Sequence, residues 1–191
     1  MASEPDEALL TQLLREARRG DTSAADRAYA LIYRRLHDAA RAQLRKGCVG
    51  HATLTPTALV HEAWLKLSSA DFEINDREHY LAMASGAMRQ IVVDAARARL
   101  SRKRGGQALH ITWSEDVAGG EAPDVDVLLL EEALEKLEQV DARLAQVVQF
   151  RYFAGLTEEE IARLLGVTDR TVRRDWRKAR AFLHHEIRGV S

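Results

Sequence analysis

Residues 156–183, LTEEEIARLLGVTDRTVRRDWRKARAFL, constrain this chain more than any other stretch. Thr157 stands just before a short apolar-periodic run and has Glu160 three residues on, the signature of a capping box at a helix start. Ile161, Leu164 and Leu165 recur at helical spacing. Gly166 then breaks the pattern, as a tight turn between two helices requires. Thr168 can cap a second helix running on through Val172 and Trp176, and Ala162 is small where two crossing helices must approach closely. The stretch predicts a helix-turn-helix. Its second helix carries Arg170, Arg173, Arg174, Arg177, Lys178 and Arg180. A recognition helix in the major groove needs such side chains at its exposed N-terminal end, for base edges and phosphates. Two ordinary amphipathic helices with a solvated charged face would not need cap, small residue, glycine and basic helix to fall in register.

A formal net charge of −1 does not look like a nucleic-acid binder, but the average hides segregation along the 191 residues. Residues 89–104 and 163–180 are strongly basic, and residues 115–141 between them are strongly acidic. Three prolines, eleven glycines and few β-branched runs predict an all-α chain of two small helical domains. A single cysteine, Cys48, excludes an internal disulfide and any multi-cysteine metal site. No apolar run approaches the ~20 residues that span a bilayer, and the acidic start MASEPDEALL lacks a signal-peptide core. These features point to a cytoplasmic protein without a membrane partner.

Taken in order, residues 7–19 alternate leucines with charges at helical spacing up to Gly20. A helix over 23–46 follows, capped by Asp21 or Thr22, with Ala25, Tyr29, Ile32, Tyr33, Leu36, Ala40 and Leu44 inward. After a loop at 46–52, Thr55-Pro56 reads as an N-cap followed by proline at the first helical position. Leu59, Val60, Ala63, Trp64 and Leu67 make the apolar stripe of that helix. His61-Glu62 invites a metalloprotease reading, but a metal-binding helix needs a second histidine four residues on, and position 65 is leucine. Residues 68–77 read as a loop that contains Phe72 and Ile74. A long helix over 78–104 buries Tyr80, Leu81, Ala84, Ala87, Met88, Ile91, Val92 and Ala95 and ends in a basic half. Residues 106–126 read as a flexible linker, with a patch at His110, Ile111, Thr112 and Trp113. Helices at 127–140 and 143–153 lead into the helix-turn-helix, and the tail from His184 is expected to fray. The domains expected are therefore 5–105 and 127–188.

At this point the chain resembles a bacterial RNA polymerase sigma factor of the small extracytoplasmic-function (ECF) type. LTEEEIARLLGVTDRTVRRDWRKAR at 156–180 is similar to the family's region 4.2, ALVHEAWLKL at 58–67 to region 2.2, and HYLAMASGAMRQIVVDAARAR at 79–99 to regions 2.3 and 2.4. The helix-turn-helix alone would not be specific; the three matches in this order and spacing are. The resemblance implies an alternative sigma factor with a region 2 domain, a linker and a region 4 domain, directing promoter-specific transcription initiation without cofactor or metal. Ala58, Leu59, Glu62, Leu65 and Lys66 would bind the β′ clamp helices of core RNA polymerase, and the β flap would be a further contact. Phe72 and Asn75 would capture a flipped base of the minus-10 element, with Arg89, Arg97 and Arg99 on the strand backbone. Thr168, Asp169, Arg170, Thr171, Arg173, Arg174, Arg177 and Lys178 would read the minus-35 element. The acidic linker would thread near the RNA exit path.

One stretch departs from the family's pattern. Ordinary members carry acidic residues just before region 2.2, and here that stretch is Thr55-Pro56-Thr57-Ala58, without a carboxylate. A phosphothreonine would restore about −1.5 to −2 charges at a helix N-terminus, where anions are favoured. The subgroup of these sigma factors activated by a partner Ser/Thr kinase is similar in this respect. Thr57 is the first choice and Thr55, which has the competing work of capping, the second. Both threonines acting only as caps is the plainer alternative. An anti-sigma factor is compatible with the resemblance, though nothing in the sequence requires one. A stand-alone helix-turn-helix regulator is the alternative function; it would bind duplex specifically without polymerase. No convergent acid/base pair, nucleophile motif or phosphate-binding glycine loop points to an enzyme.

Overall fold

The computed structural model describes residues 4–44, 54–68, 77–102, 110–112 and 124–189. It is almost wholly helical. The first bundle comprises α1 (Glu4–Arg18), α2 (Thr22–Gln43), α3 (Pro56–Ser68) and α4 (Arg77–Arg102). The second comprises α5 (Val127–Val140), α6 (Ala142–Phe153), α7 (Glu158–Leu165) and α8 (Asp169–Gly189).

Local chemistry sets the boundaries. Gly20, at φ 95°, turns the chain between α1 and α2. The Asp21 carboxylate caps α2 by accepting from the Ala24 amide at 3.0 Å. On α2 the buried stripe is Ala24, Ala28, Ile32, Leu36, Ala40 and Leu44, with Ala25, Tyr29 and Tyr33 only half-buried. The inward face thus starts one residue earlier than the tyrosines suggest. Those amphipathic rings sit at the rim, where Tyr29 packs edge-on against Trp64 at 4.5 Å and Tyr33 stacks on His37 at 5.5 Å. Pro56 opens α3, with the Thr55 hydroxyl accepting from the Ala58 amide at 3.1 Å. Asp141 ends α5 and caps α6, accepting from the amides of Arg143 (3.0 Å) and Leu144 (3.3 Å).

α4 is the spine. It packs on α1 and α3 of its own bundle and on α5, α6 and α7 of the other. Its buried residues accordingly spread round the helix: Tyr80, Leu81, Ala84, Ser85, Met88, Ile91, Val92, Val93 and Ala96. A one-faced reading misses Ser85, Val93 and Ala96 and overestimates Ala87 and Ala95, which are half-buried. The Tyr80 hydroxyl is buried without a hydrogen-bond partner among the described residues, and burial pushes its pKa well above the usual tyrosine range.

The two bundles share one hydrophobic core. Polar ties cross between them. Arg35 of α2 donates to both carboxylate oxygens of Glu160 on α7 and, at 3.0 Å, to the Gly155 carbonyl. Arg89 of α4 donates to Glu131 of α5 at 2.8 Å and to Gln149 of α6 at 3.3 Å, and Gln149 donates to the buried Ser85 hydroxyl at 3.2 Å. The connecting segment shows order that the linker reading did not foresee. Strands β1 (His110–Thr112) and β2 (Asp124–Asp126) pair antiparallel, with His110 opposite Asp126. Trp113 and the acids Glu115, Asp116 and Glu121 lie outside the described residues. The expected fraying from His184 is corrected: α8 continues to Gly189, anchored by the fully buried Leu183 and the half-buried Ile187.

Candidate nucleic-acid and partner interfaces

The helix-turn-helix is built as its residues dictate. The Thr157 hydroxyl accepts from the Glu160 amide at 3.3 Å and the Glu160 carboxylate from the Thr157 amide at 2.7 Å, a complete capping box. Gly166 adopts the left-handed conformation, φ 64° and ψ 34°, which ends α7 and starts the turn. The Thr168 hydroxyl accepts from the Thr171 amide at 3.3 Å at the start of α8. Ala162 is buried at the crossing of the two helices. Glu159 at the start of α7 is held below the usual carboxylate range, first by its own backbone N–H and then by the Thr157 hydroxyl.

α8 divides cleanly into two faces. Val172, Asp175, Trp176, Ala179 and Leu183 are buried. Arg170, Arg173, Arg174, Arg177 and Lys178 are exposed, as is Thr168 ahead of them, while Asp169 and Thr171 are half-buried. Two of these arginines, Arg173 and Arg174, are tethered by carboxylates. Glu158 accepts from Arg151 at 3.1 Å and from Arg173 Nε at 2.8 Å. Asp175 accepts from Arg143 Nε at 2.8 Å and from Arg174 Nε at 3.2 Å. The Arg151 guanidinium also lies 4.7 Å over the Trp176 ring.

A second surface lies on α3. Glu62, Leu65 and Lys66 are exposed, and Leu65, at 54 %, is a large apolar side chain open to solvent among the described residues. Lys66 lies 3.9 Å from Asp94 on α4. Ala58 is half-buried, and Leu59 is fully buried. The assignment of Leu59 to a contact surface is corrected accordingly: it supports that face from the core below. At the helix start, Thr57 is exposed and borders a groove with Tyr33, Arg34, His37 and His61. The first turn of α3 holds no acidic residue.

The third group is dispersed. Arg97 is exposed and Arg99 half-buried on the last turns of α4, whereas Arg89 is turned inward onto Glu131 and Gln149. Phe72 and Asn75 lie outside the described residues, as does Cys48. Among the described residues there is no cluster that could hold a metal ion, and no helix is long and apolar enough to cross a membrane.

Sequence reasoning missed the partners of the tethered arginines. Asp175 was findable, since it is an acid within a basic run and falls three residues after Val172 and four before Ala179, on the apolar stripe. Arg35 and Glu160 are 125 residues apart, and no local pattern joins them.

The family model for ECF sigma factors matches residues 7–189, nearly the whole chain. The chain belongs to the ECF sigma factor family. No curated protein and no solved structure matches it. Membership makes this chain an alternative sigma factor, and its partners are core RNA polymerase and promoter DNA.

Proposed function

We propose that this sigma factor docks on core polymerase through α3 only after phosphorylation of Thr57, and then reads promoter DNA from both bundles. The observation that carries the switch is the start of α3. Its first turn has no carboxylate, and the two threonines there differ in what they do. The Thr55 hydroxyl is occupied as the acceptor for the Ala58 amide, whereas the Thr57 side chain is exposed. A phosphate on Thr57 would sit at the positive end of the helix, beside Arg34, His37 and His61. A Ser/Thr protein kinase is the partner this reading requires. Glu62, Leu65 and Lys66 form the face offered to the β′ clamp helices. On DNA, Thr168, Asp169, Arg170, Thr171, Arg173, Arg174, Arg177 and Lys178 read the minus-35 element, Arg97 and Arg99 hold backbone near the minus-10 element, and Phe72 and Asn75 capture a flipped base there. Arg89 joins them only when Glu131 and Gln149 release it.

The test is core-polymerase binding and promoter-dependent transcription by the wild type, Thr57→Ala and Thr57→Glu, each with and without kinase treatment. Phosphorylated wild type and Thr57→Glu should bind and initiate, and Thr57→Ala should stay inactive under both conditions. Tight binding by unphosphorylated wild type would reject the switch.

A further inference from the structure

Where α2 packs on α3, a groove is lined by Tyr33, Arg34, His37 and Asp38 from α2 and by Thr57 and His61 from α3. Helical spacing builds it. Thr57 and His61 are one turn apart on α3, and on α2 so are Arg34 and Asp38, and Tyr33 and His37. Aromatic contacts hold the walls: Tyr33 stacks on His37 with 22° between the rings, and Tyr29 packs on Trp64 of α3. Two members of this lining have no partner. Arg34 is exposed and makes no ion pair or hydrogen bond among the described residues, not even with Asp38 one turn on. The adjacent Arg35, by contrast, is committed to Glu160 and Gly155. The Thr57 hydroxyl is also unpartnered among the described residues, whereas that of Thr55 caps the helix.

A threonine is stiff at χ1, so a phosphoryl group on Thr57 would be confined in direction. Arg34 and Asp38 cancel in charge, and with both histidines neutral the phosphate would take the groove from zero to about −1.5 to −2. An arginine fork binds phosphate through two parallel hydrogen bonds, and of three phosphoryl oxygens one then remains for another partner. We infer that this groove is a receptor for the phosphate of its own chain: Arg34 of α2 grips phosphorylated Thr57 of α3, with His37 and His61 at its borders. The inference rests on the reading of Thr57 as the residue that carries the phosphate. Arg34 is a positioning residue in that switch. It fixes the phosphate over the first turn of α3, with the remaining oxygen and the net negative charge offered to the docking partner. A glutamate at position 57 has two oxygens and one charge, both engaged by Arg34, so Thr57→Glu activates less than the phosphate does.

The experiment uses the full-length chain with phosphothreonine installed at position 57 during translation, which makes it independent of any kinase. The phosphate is titrated by phosphorus NMR in the wild type, Arg34→Gln, Arg34→Lys and, as a control on α1, Arg15→Gln. His37 and His61 titrate in the same range, and every variant keeps both of them and Asp38. The wild-type phosphate should titrate below its ordinary second pKa of about 6, and Arg34→Gln should raise the midpoint by about one unit. Arg15→Gln should not move it. In core-polymerase binding, phosphorylated Arg34→Gln should be about fivefold weaker than phosphorylated wild type. Arg34→Lys should restore most of the midpoint shift but only part of the affinity, since a point charge replaces a fork. Equal midpoints or equal affinities in phosphorylated wild type and Arg34→Gln overturn the inference, and leave the switch intact where phosphothreonine still tightens binding over the unmodified chain. No tightening by phosphothreonine in the wild type rejects the switch and the inference together.

Discussion

Glu160 concentrates several tasks in one side chain. It completes the capping box of α7 and receives both terminal nitrogens of Arg35 while almost wholly buried. Removing one partner of such a pair strands a buried charge, at a cost of about 3–5 kcal/mol. Arg35→Ala should therefore destabilise the chain more than an ordinary surface change, by about 3 kcal/mol in urea unfolding. Glu160→Ala loses the cap as well, and a double-mutant cycle with Arg35→Ala should show strong coupling. The threonines of α3 separate in the opposite way. Thr55→Ala should cost about 1 kcal/mol as a lost N-cap, whereas Thr57→Ala should stay within about 0.5 kcal/mol of wild type. Equal thermal shifts for the two would show that both hydroxyls are structural. At this scale the sequence was most legible where a side chain acts on its neighbours: the Thr157–Glu160 box, the Thr55 cap and Gly166 follow from local spacing. Arg35, Glu131 and Gln149 were illegible because their partners are set by packing between helices distant in sequence.

Elements were legible to the extent that each had one buried face. α8 buries Val172 and Trp176 as expected, while α4 did not keep one face, because it is covered from several directions. The turn of the helix-turn-helix offers a clean test. A Cβ at Gly166 would meet nothing within 4 Å, so Gly166→Ala adds no clash and only the strain of a left-handed residue. It should cost about 1 kcal/mol, read as a lowered melting temperature with unchanged helix content. Along α8, an exposed ion pair adds to the apolar packing against α5. Lys136 donates to Glu186 at 2.7 Å, which raises the lysine pKa and, by the same hydrogen bond, lowers that of the glutamate. The lysine contribution is full below the ordinary lysine pKa and is lost as pH rises through the raised value. The glutamate contribution is full above the ordinary glutamate pKa and is lost as pH falls through the lowered one. The tie is strongest between those limits, and an NMR titration should show the lysine midpoint falling back in Glu186→Gln.

For the molecule as a whole, two arginines of the first bundle, Arg35 and Arg89, are spent on holding the second. Both pairs are largely shielded from solvent, so moderate salt should leave the halves together. Combining Arg35→Ala with Arg89→Ala should separate them, seen as a larger radius of gyration in small-angle scattering and faster proteolysis between the bundles. An unchanged radius would mean that apolar packing alone closes the molecule. That a chain of two helical bundles was foreseeable followed from its composition and its two basic helices. That they close on each other was not, because shared-core residues such as Met88 and Val148 look like any other helix interior until both bundles exist.

The span between Arg35 and Glu160 also sets an order of events during synthesis. A ribosome adding about 5–20 residues per second needs on the order of ten seconds to make the intervening 125 residues. The first bundle is complete only once Arg102 is made, so over the following 58 residues to Glu160, about 3–12 s at that rate, it exists alone, with the side of α4 that will meet α5 and α6 still uncovered. The nascent chain thus passes through an open form before it first closes, and whatever reaches the emerging α4 in those seconds, chaperone or polymerase, meets a surface that the finished protein conceals.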